Sequence, residues 1–132
     1  MRMIQVAVVG PHLTGQPLNN QLTDRHARLV KTCRTSPVYR LYVLMNVQPP
    51  KPALKRISQG KGAAIEVEVW EMPMEEFGGF VALVMSPWAM GFILLDDGNL
   101  VRGLVCESYA LDEARDITLY GSWRAFLSSL SK

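Results

Sequence analysis

The sequence predicts an α+β fold, a mostly β, barrel-like sheet with short helices at its periphery. Three observations carry that expectation. Apolar runs of strand length recur along the chain, whereas helical patches are few and short. "AAIEVEVWEM" (Ala63 to Met72) alternates cleanly, with Ile65, Val67 and Val69 on one face and Glu66, Glu68 and Trp70 on the other. "FILLDDGNLVRGLVCES" joins two apolar runs through Asp96-Asp97-Gly98-Asn99, a hairpin signal.

In chain order, "MIQVAVV" (Met3 to Val9) is a buried strand, too short and too abruptly ended by Gly-Pro to be a signal peptide. "PLNNQLTDRHARLV" starts as a helix, with Pro17 near its first turn and Asn19 or Asn20 as its cap. "YRLYVLMNV" (Tyr39 to Val47) is aromatic and β-branched and reads as a strand. It ends at "QPPKP", which is expected to leave the sheet because proline donates no ladder bond. "KRISQGKG" (Lys55 to Gly62) reads as an exposed turn, and "PMEEFGGFVALV" as a helix opened by Pro73 with acidic residues in its first turn.

"FVALVMSPWAMGFILL" (Phe80 to Leu95) is shorter than a membrane span and divides into a helix end, a turn at Ser86-Pro87 and a strand. "ALDEARDI" and "SWRAFLSSL" close the chain as helices, Ser122 capping the second. Met3 to Val9, Tyr39 to Val47, Ile65 to Glu71 and the hairpin are expected in one curved sheet, within a single domain over residues 1–132.

Composition narrows the function classes. Of 132 residues, 48% are hydrophobic and 20% charged, ordinary values for a folded domain. A net charge of +2 with mixed signs gives no footprint for nucleic acid or an anionic membrane. Cys33, Cys106, His12 and His26 are too few and too scattered for a zinc site, so neither a metal nor another cofactor is expected. Two reduced thiols and the lack of a leader fit a cytoplasmic protein.

The densest polar stretch directly follows the first strand: "VVGPHLTGQPLNNQL". Gly10 and Gly15 have GxxxxG spacing, but Gln16 and Pro17 stand where a phosphate loop needs Lys and then Ser or Thr. A Gly-rich turn between strand and helix still points free N–H groups at one spot, which suits a small anion. His12 lies between the two glycines and can exchange a proton near neutral pH. His26 lies in a charged surface stretch. Glu66 and Glu68 are either solvated or, if both sheet faces are covered, buried with partners, and the sequence does not choose between them.

Taken together, "GPHLTGQPLNNQL", "PVYRLYVL", "PPKPALKRI", "GAAIEVEVWEMP", "FGGFVALV", "LDDGNLVRGLVCES" and "ARDITLYGSWRAFL" resemble, in order, the C-terminal domain of allophanate hydrolases. That resemblance implies a γ-glutamylcyclotransferase-like fold. It also implies action on N-carboxycarbamate, the product of an amidase domain, with loss of carbon dioxide and ammonia. The histidine of the "G-x-H-L-x-G-x-P-L-N" motif is His12, which makes it the expected catalytic residue. Gly10, Pro11, Leu13, Gly15, Gln16, Pro17, Asn19 and Glu68 are the expected substrate-binding residues.

No amidase domain is recognisable in these residues. This reading therefore admits a small dicarboxylate substrate, a separately encoded amidase as partner, and a homodimer. An accessory, non-catalytic binding protein is the alternative. Departures from the family pattern lie at "VMSPWAMGF", where Trp88 and Met90 are expected to reshape a pocket wall. At "VEVW" and "FGGF" the cyclotransferase pattern and its glutamate are missing, and Glu75 and Glu76 do not replace it cleanly, so γ-glutamyl cyclotransfer ranks last.

Overall fold

The computed structural model describes residues 2–131. Its elements run β1 (Met3–Val8), α1 (Asn20–Thr23), β2 (Arg28–Arg34), β3 (Tyr39–Leu44), β4 (Lys51–Arg56), β5 (Glu66–Pro73), α2 (Met74–Val81), β6 (Trp88–Leu94), β7 (Leu100–Cys106), β8 (Arg115–Asp116) and α3 (Trp123–Leu130). Short 3-10 turns at Ser108–Leu111 and Thr118–Tyr120 flank β8. The mix is α+β, as the sequence predicts.

The strands form two hydrogen-bonded sheets rather than one. The larger has the order β2-β5-β1-β7-β6, with β1 and β7 parallel and the other neighbours antiparallel. The smaller has the order β4-β3-β8, so β3 leaves the sheet in which its pattern had placed it. The two are stitched together by polar groups in the core. Tyr39 on β3 is fully buried and its hydroxyl accepts from the Leu94 N–H of β6 at 2.8 Å. An isolated bridge also pairs Tyr39 with Ala63, just ahead of β5.

The inner faces of both sheets supply the core, including Val6, Leu41, Leu54, Ile65, Val67 and Ile93, with Phe80 of α2 and Phe126 of α3 packed on. Burying side chains of this size stabilises the fold by about 1.5–3 kcal/mol each. Among the described residues no buried side-chain nitrogen or oxygen lacks a hydrogen-bond partner.

Two strands appear where other structure is expected. β2 is an edge strand with almost every residue exposed, so its "RLVKTCR" carries no alternation. β4 runs directly out of "QPPKP": Pro52 sits opposite Val43, and the missing N–H is tolerated because β4 is a sheet edge. Lys55 and Arg56 belong to that strand, leaving only the residues after them as a turn. The "ALDEARDI" stretch forms a 3-10 turn and β8 in place of a helix.

The remaining elements follow their local chemistry. The hairpin β6–β7 turns at Gly98, whose φ of 89° favours glycine, while the Asn99 N–H donates to Asp97 at 2.9 Å. Pro73 opens α2, with Glu75 and Glu76 in its first turn where the helix dipole favours them. Ser122 caps α3 by accepting from the Ala125 N–H at 3.0 Å. The helix beginning after Pro17 is only one turn long, and Asn19 caps it without a side-chain bond. No helix among the described residues is long and apolar enough to cross a membrane.

Candidate functional site

The segment after β1 winds into consecutive tight turns. Leu13 N–H donates to Gly10 at 3.0 Å, Gln16 N–H to Leu13 at 2.9 Å, and Leu18 N–H returns to Pro11 at 2.8 Å. The Asn19 side-chain amide donates to the His12 carbonyl at 2.8 Å, which fixes the backbone at that residue. These turns face the place where the two sheets meet. Gly10 lies so close to β4 that a Cβ there would overlap Pro52 Cγ, which is why this position takes glycine. Trp88 reaches across the same seam and donates to the Pro52 carbonyl at 2.9 Å.

A cavity of about 270 Å³ opens at this seam. Its polar lining is Gln21, Lys51, His12 and the backbone of Gly10 and Pro11. The rest is apolar, from Leu18, Leu54, Phe80, Leu83, Val84 and Leu104 among others. No acidic side chain lines it.

His12 is 8% exposed. Its Nε2 donates to Gln21 Oε1 at 2.7 Å, which leaves the lone pair of the neutral ring on Nδ1. Phe80 of α2 meets the imidazole edge-on, with ring centroids 5.4 Å apart. Burial pushes the His12 pKa below its ordinary value; the Gln21 hydrogen bond opposes this, and the nearby charge of Lys51 adds to it. His12 is therefore a buried, oriented imidazole whose burial favours the neutral form, not a loosely held loop residue. Lys51 makes no ion pair among the described residues, and its ammonium lies 5.7 Å from the Trp88 ring centre. The N–H groups of Gly10 and His12 have no acceptor within the described residues.

A second polar cluster holds the same loop from its other side. Glu68 pairs with Val8 in the β5–β1 register, next to the end of β1, and is 4% exposed. Its Oε1 accepts from the Thr14 N–H at 2.9 Å, the Thr14 hydroxyl at 3.1 Å and Trp70 Nε1 at 3.1 Å. Arg124 of α3 donates to Glu68 Oε2 at 3.2 Å and to the Thr14 carbonyl at 2.6 Å. Burial pushes the Glu68 carboxyl up, but the donors from Thr14, Trp70 and Arg124 together outweigh it and hold the group below its usual range. Glu66 is half-buried and meets Arg124 more loosely, at 3.7 Å.

The expected site residues thus divide. Gly10, Pro11 and His12 line the cavity. Leu13 is 2% exposed and belongs to the core. Gly15 makes a turn at φ 81°, and Gln16 and Pro17 lie outside the cavity wall. Asn19 holds the His12 carbonyl, and Glu68 holds Thr14. Trp88 lines the cavity as expected, whereas Met90 does not. His26 pairs with Glu76 at the surface, at 3.2 Å. Cys33 and Cys106 are free thiols whose pKa values burial pushes up. Among the described residues no three His, Cys, Asp or Glu gather in a way that could hold a metal.

Lys51 and Gln21 are the polar cavity-lining side chains that sequence reasoning does not find. Lys51 sits in a stretch dismissed as a sheet exit, and nothing in the spacing of Gln21 from His12 marks the contact.

Urea amidolyase of Saccharomyces cerevisiae is 39% identical over 132 residues, covering 98% of this chain and 7% of that protein. The solved allophanate hydrolase of Kluyveromyces lactis superposes with a TM-score of 0.94 at 34% identity, over 98% of this chain and 22% of that one. A uropathogenic E. coli-specific protein of known structure gives a TM-score of 0.87 at 30% identity, over 97% of this chain and 98% of that one. A γ-glutamyl cyclotransferase shares the fold, with a TM-score of 0.58 at 12% identity over 80% of this chain and 68% of that one. The family model for the allophanate hydrolase C-terminal domain matches residues 4–128, the seam cavity and the Glu68 cluster included, and the chain belongs to that family.

Proposed function

We propose that the cavity binds a small dicarboxylate of the N-carboxycarbamate type and promotes its decarboxylation, with His12 as the proton donor. The observation that carries this reading is a buried imidazole and an unpaired ammonium lining one cavity that has no acidic side chain. An anion entering it meets Lys51 and the unpaired N–H groups of Gly10 and His12. The names of the relatives, a urea amidolyase and an allophanate hydrolase, direct the same chemistry toward urea-derived nitrogen.

In each decarboxylation the C–N bond breaks, carbon dioxide leaves, and the electron pair stays on nitrogen, which takes up one proton. Two such steps convert N-carboxycarbamate to carbamate and then to ammonia. Burial favours neutral His12, but a dianion in the cavity favours the imidazolium and so brings the acid with the substrate. The same absence of a carboxylate in the wall supports this reading over γ-glutamyl cyclotransfer, which requires a glutamate.

Malonate, which replaces the N–H by a methylene, tests the binding half. It is expected to raise the melting temperature in millimolar titration, with acetate and nucleotides doing so less. The chemical half is tested by generating N-carboxycarbamate in situ with an amidase and timing carbon dioxide release with and without the chain. Malonate binding without faster release would leave an accessory, binding role; neither effect would end the proposal.

A further inference from the structure

The cavity is built of two unequal parts. Its polar groups are few and mutually close: His12 touches Gln21 at 2.7 Å, and the charge of Lys51 is felt at His12. Most of the remaining wall is hydrocarbon, from Leu18, Leu54, Phe80, Leu83, Val84 and Leu104. An unsubstituted dianion held at those polar groups leaves that wall uncovered, since a carboxylate placed against hydrocarbon would lose hydration without return.

Size points the same way. The cavity, about 270 Å³ and open at its rim, is larger than a dicarboxylate of a handful of bonded atoms fills. The rim is apolar too. Leu83 is 43% exposed and Met85 71% exposed, so hydrocarbon faces solvent where a ligand would enter.

We propose that the cavity binds a dicarboxylate bearing a short alkyl group more tightly than the unsubstituted one, the anionic head held at His12, Gln21 and Lys51 and the alkyl group laid along Leu54, Phe80, Leu83 and Leu104. This rests on the reading of the cavity as an anion site and specifies which anions it prefers. The alkyl group covers wall that malonate leaves wet, and each buried methylene is worth roughly fourfold in affinity.

Calorimetric titration of the whole chain with malonate and butylmalonate separates the two ideas. Butylmalonate is expected to bind at least about tenfold more tightly, allowing for partial burial of its chain. Leu83→Asn, at an exposed position that folding tolerates, is expected to bring that ratio toward one. Lys51→Met is expected to weaken both ligands. Malonate binding as tightly as butylmalonate, or more so, overturns the alkyl preference and leaves the anion site standing. A tenfold preference that persists undiminished in Leu83→Asn overturns the assignment of the wall. Failure of both ligands to bind at tens of millimolar ends both readings.

Discussion

The loop after β1 is held by polar groups on two sides, and the two sides differ in what they leave undone. At Thr14, a buried carboxylate has its acceptor sites filled by Thr14, Trp70 and Arg124, so nothing is left for a ligand to join. At His12, one ring nitrogen is used and the other is not, a lysine nearby has no anion, and both side chains line a cavity open at its rim. Both sides are buried and polar, so burial alone does not identify a site. Saturation separates them: a completed network fixes geometry, and an incomplete one that faces a cavity leaves groups for a ligand to meet.

The sharpest way to break this comparison is to remove a group from each side. His12→Asn is expected to lower the decarboxylation rate by about 10²–10⁴-fold, since asparagine hydrogen-bonds but supplies no proton near neutral pH. Its stability cost is small, about 0.5–1.5 kcal/mol, from the lost edge contact with Phe80. Single-turnover kinetics and denaturant unfolding on the same sample separate the two effects. Equal rates for wild type and variant remove His12 from the chemistry.

Glu68→Ala is expected to do the reverse and cost stability first, about 2–3 kcal/mol, because it strands the buried Trp70 N–H and leaves Thr14 without its acceptor. Its pH signature differs as well. The folded Glu68 pKa lies below the unfolded one, so this contribution is whole above pH 4.5 and is lost as pH falls through the folded value. Urea midpoints across that range check it, and a variant as stable as wild type would show that the cluster holds nothing.

The His12 side departs from a higher ordinary value. Its folded pKa also lies below the unfolded value, so protonation opposes folding: stability is whole above pH 6.5 and declines as pH falls from there through the folded value. Lys51→Met removes one cause of that depression and is expected to move the His12 pKa upward, with malonate binding about tenfold weaker. Imidazole NMR titration reads the first and calorimetry the second. An unmoved His12 pKa would separate Lys51 from the site. The smallest effect belongs to His26→Asn, at the exposed pair with Glu76, where stability should stay within about 0.5 kcal/mol and activity should be unchanged.

Much of this arrangement is legible in the residues, but unevenly. β1, the β6–β7 hairpin, β5, α2 and the Ser122 cap of α3 follow from alternation, turn chemistry and capping, because in each the local preference and the tertiary setting agree. β2 and β4 are edge strands: one is solvated along its length, the other begins beside prolines, and neither repays the period that betrays a strand. β3 was readable as a strand but not as a member of a second sheet, since alternation does not name a partner. His12 stood out because turn chemistry surrounds it. Lys51 and Gln21 did not, because they reach it only once the two sheets have met.

The Arg124 contact with Thr14 spans 110 positions of sequence. On a ribosome adding about 5–20 residues per second, the loop that carries His12 emerges roughly 5–20 seconds before the guanidinium that ties it down. During synthesis the turns around Gly10 can form from local bonds, yet their outer side stays unanchored until α3 docks. The anchor of that loop is thus among the last parts of the fold to be completed, although the loop itself is among the first to be made.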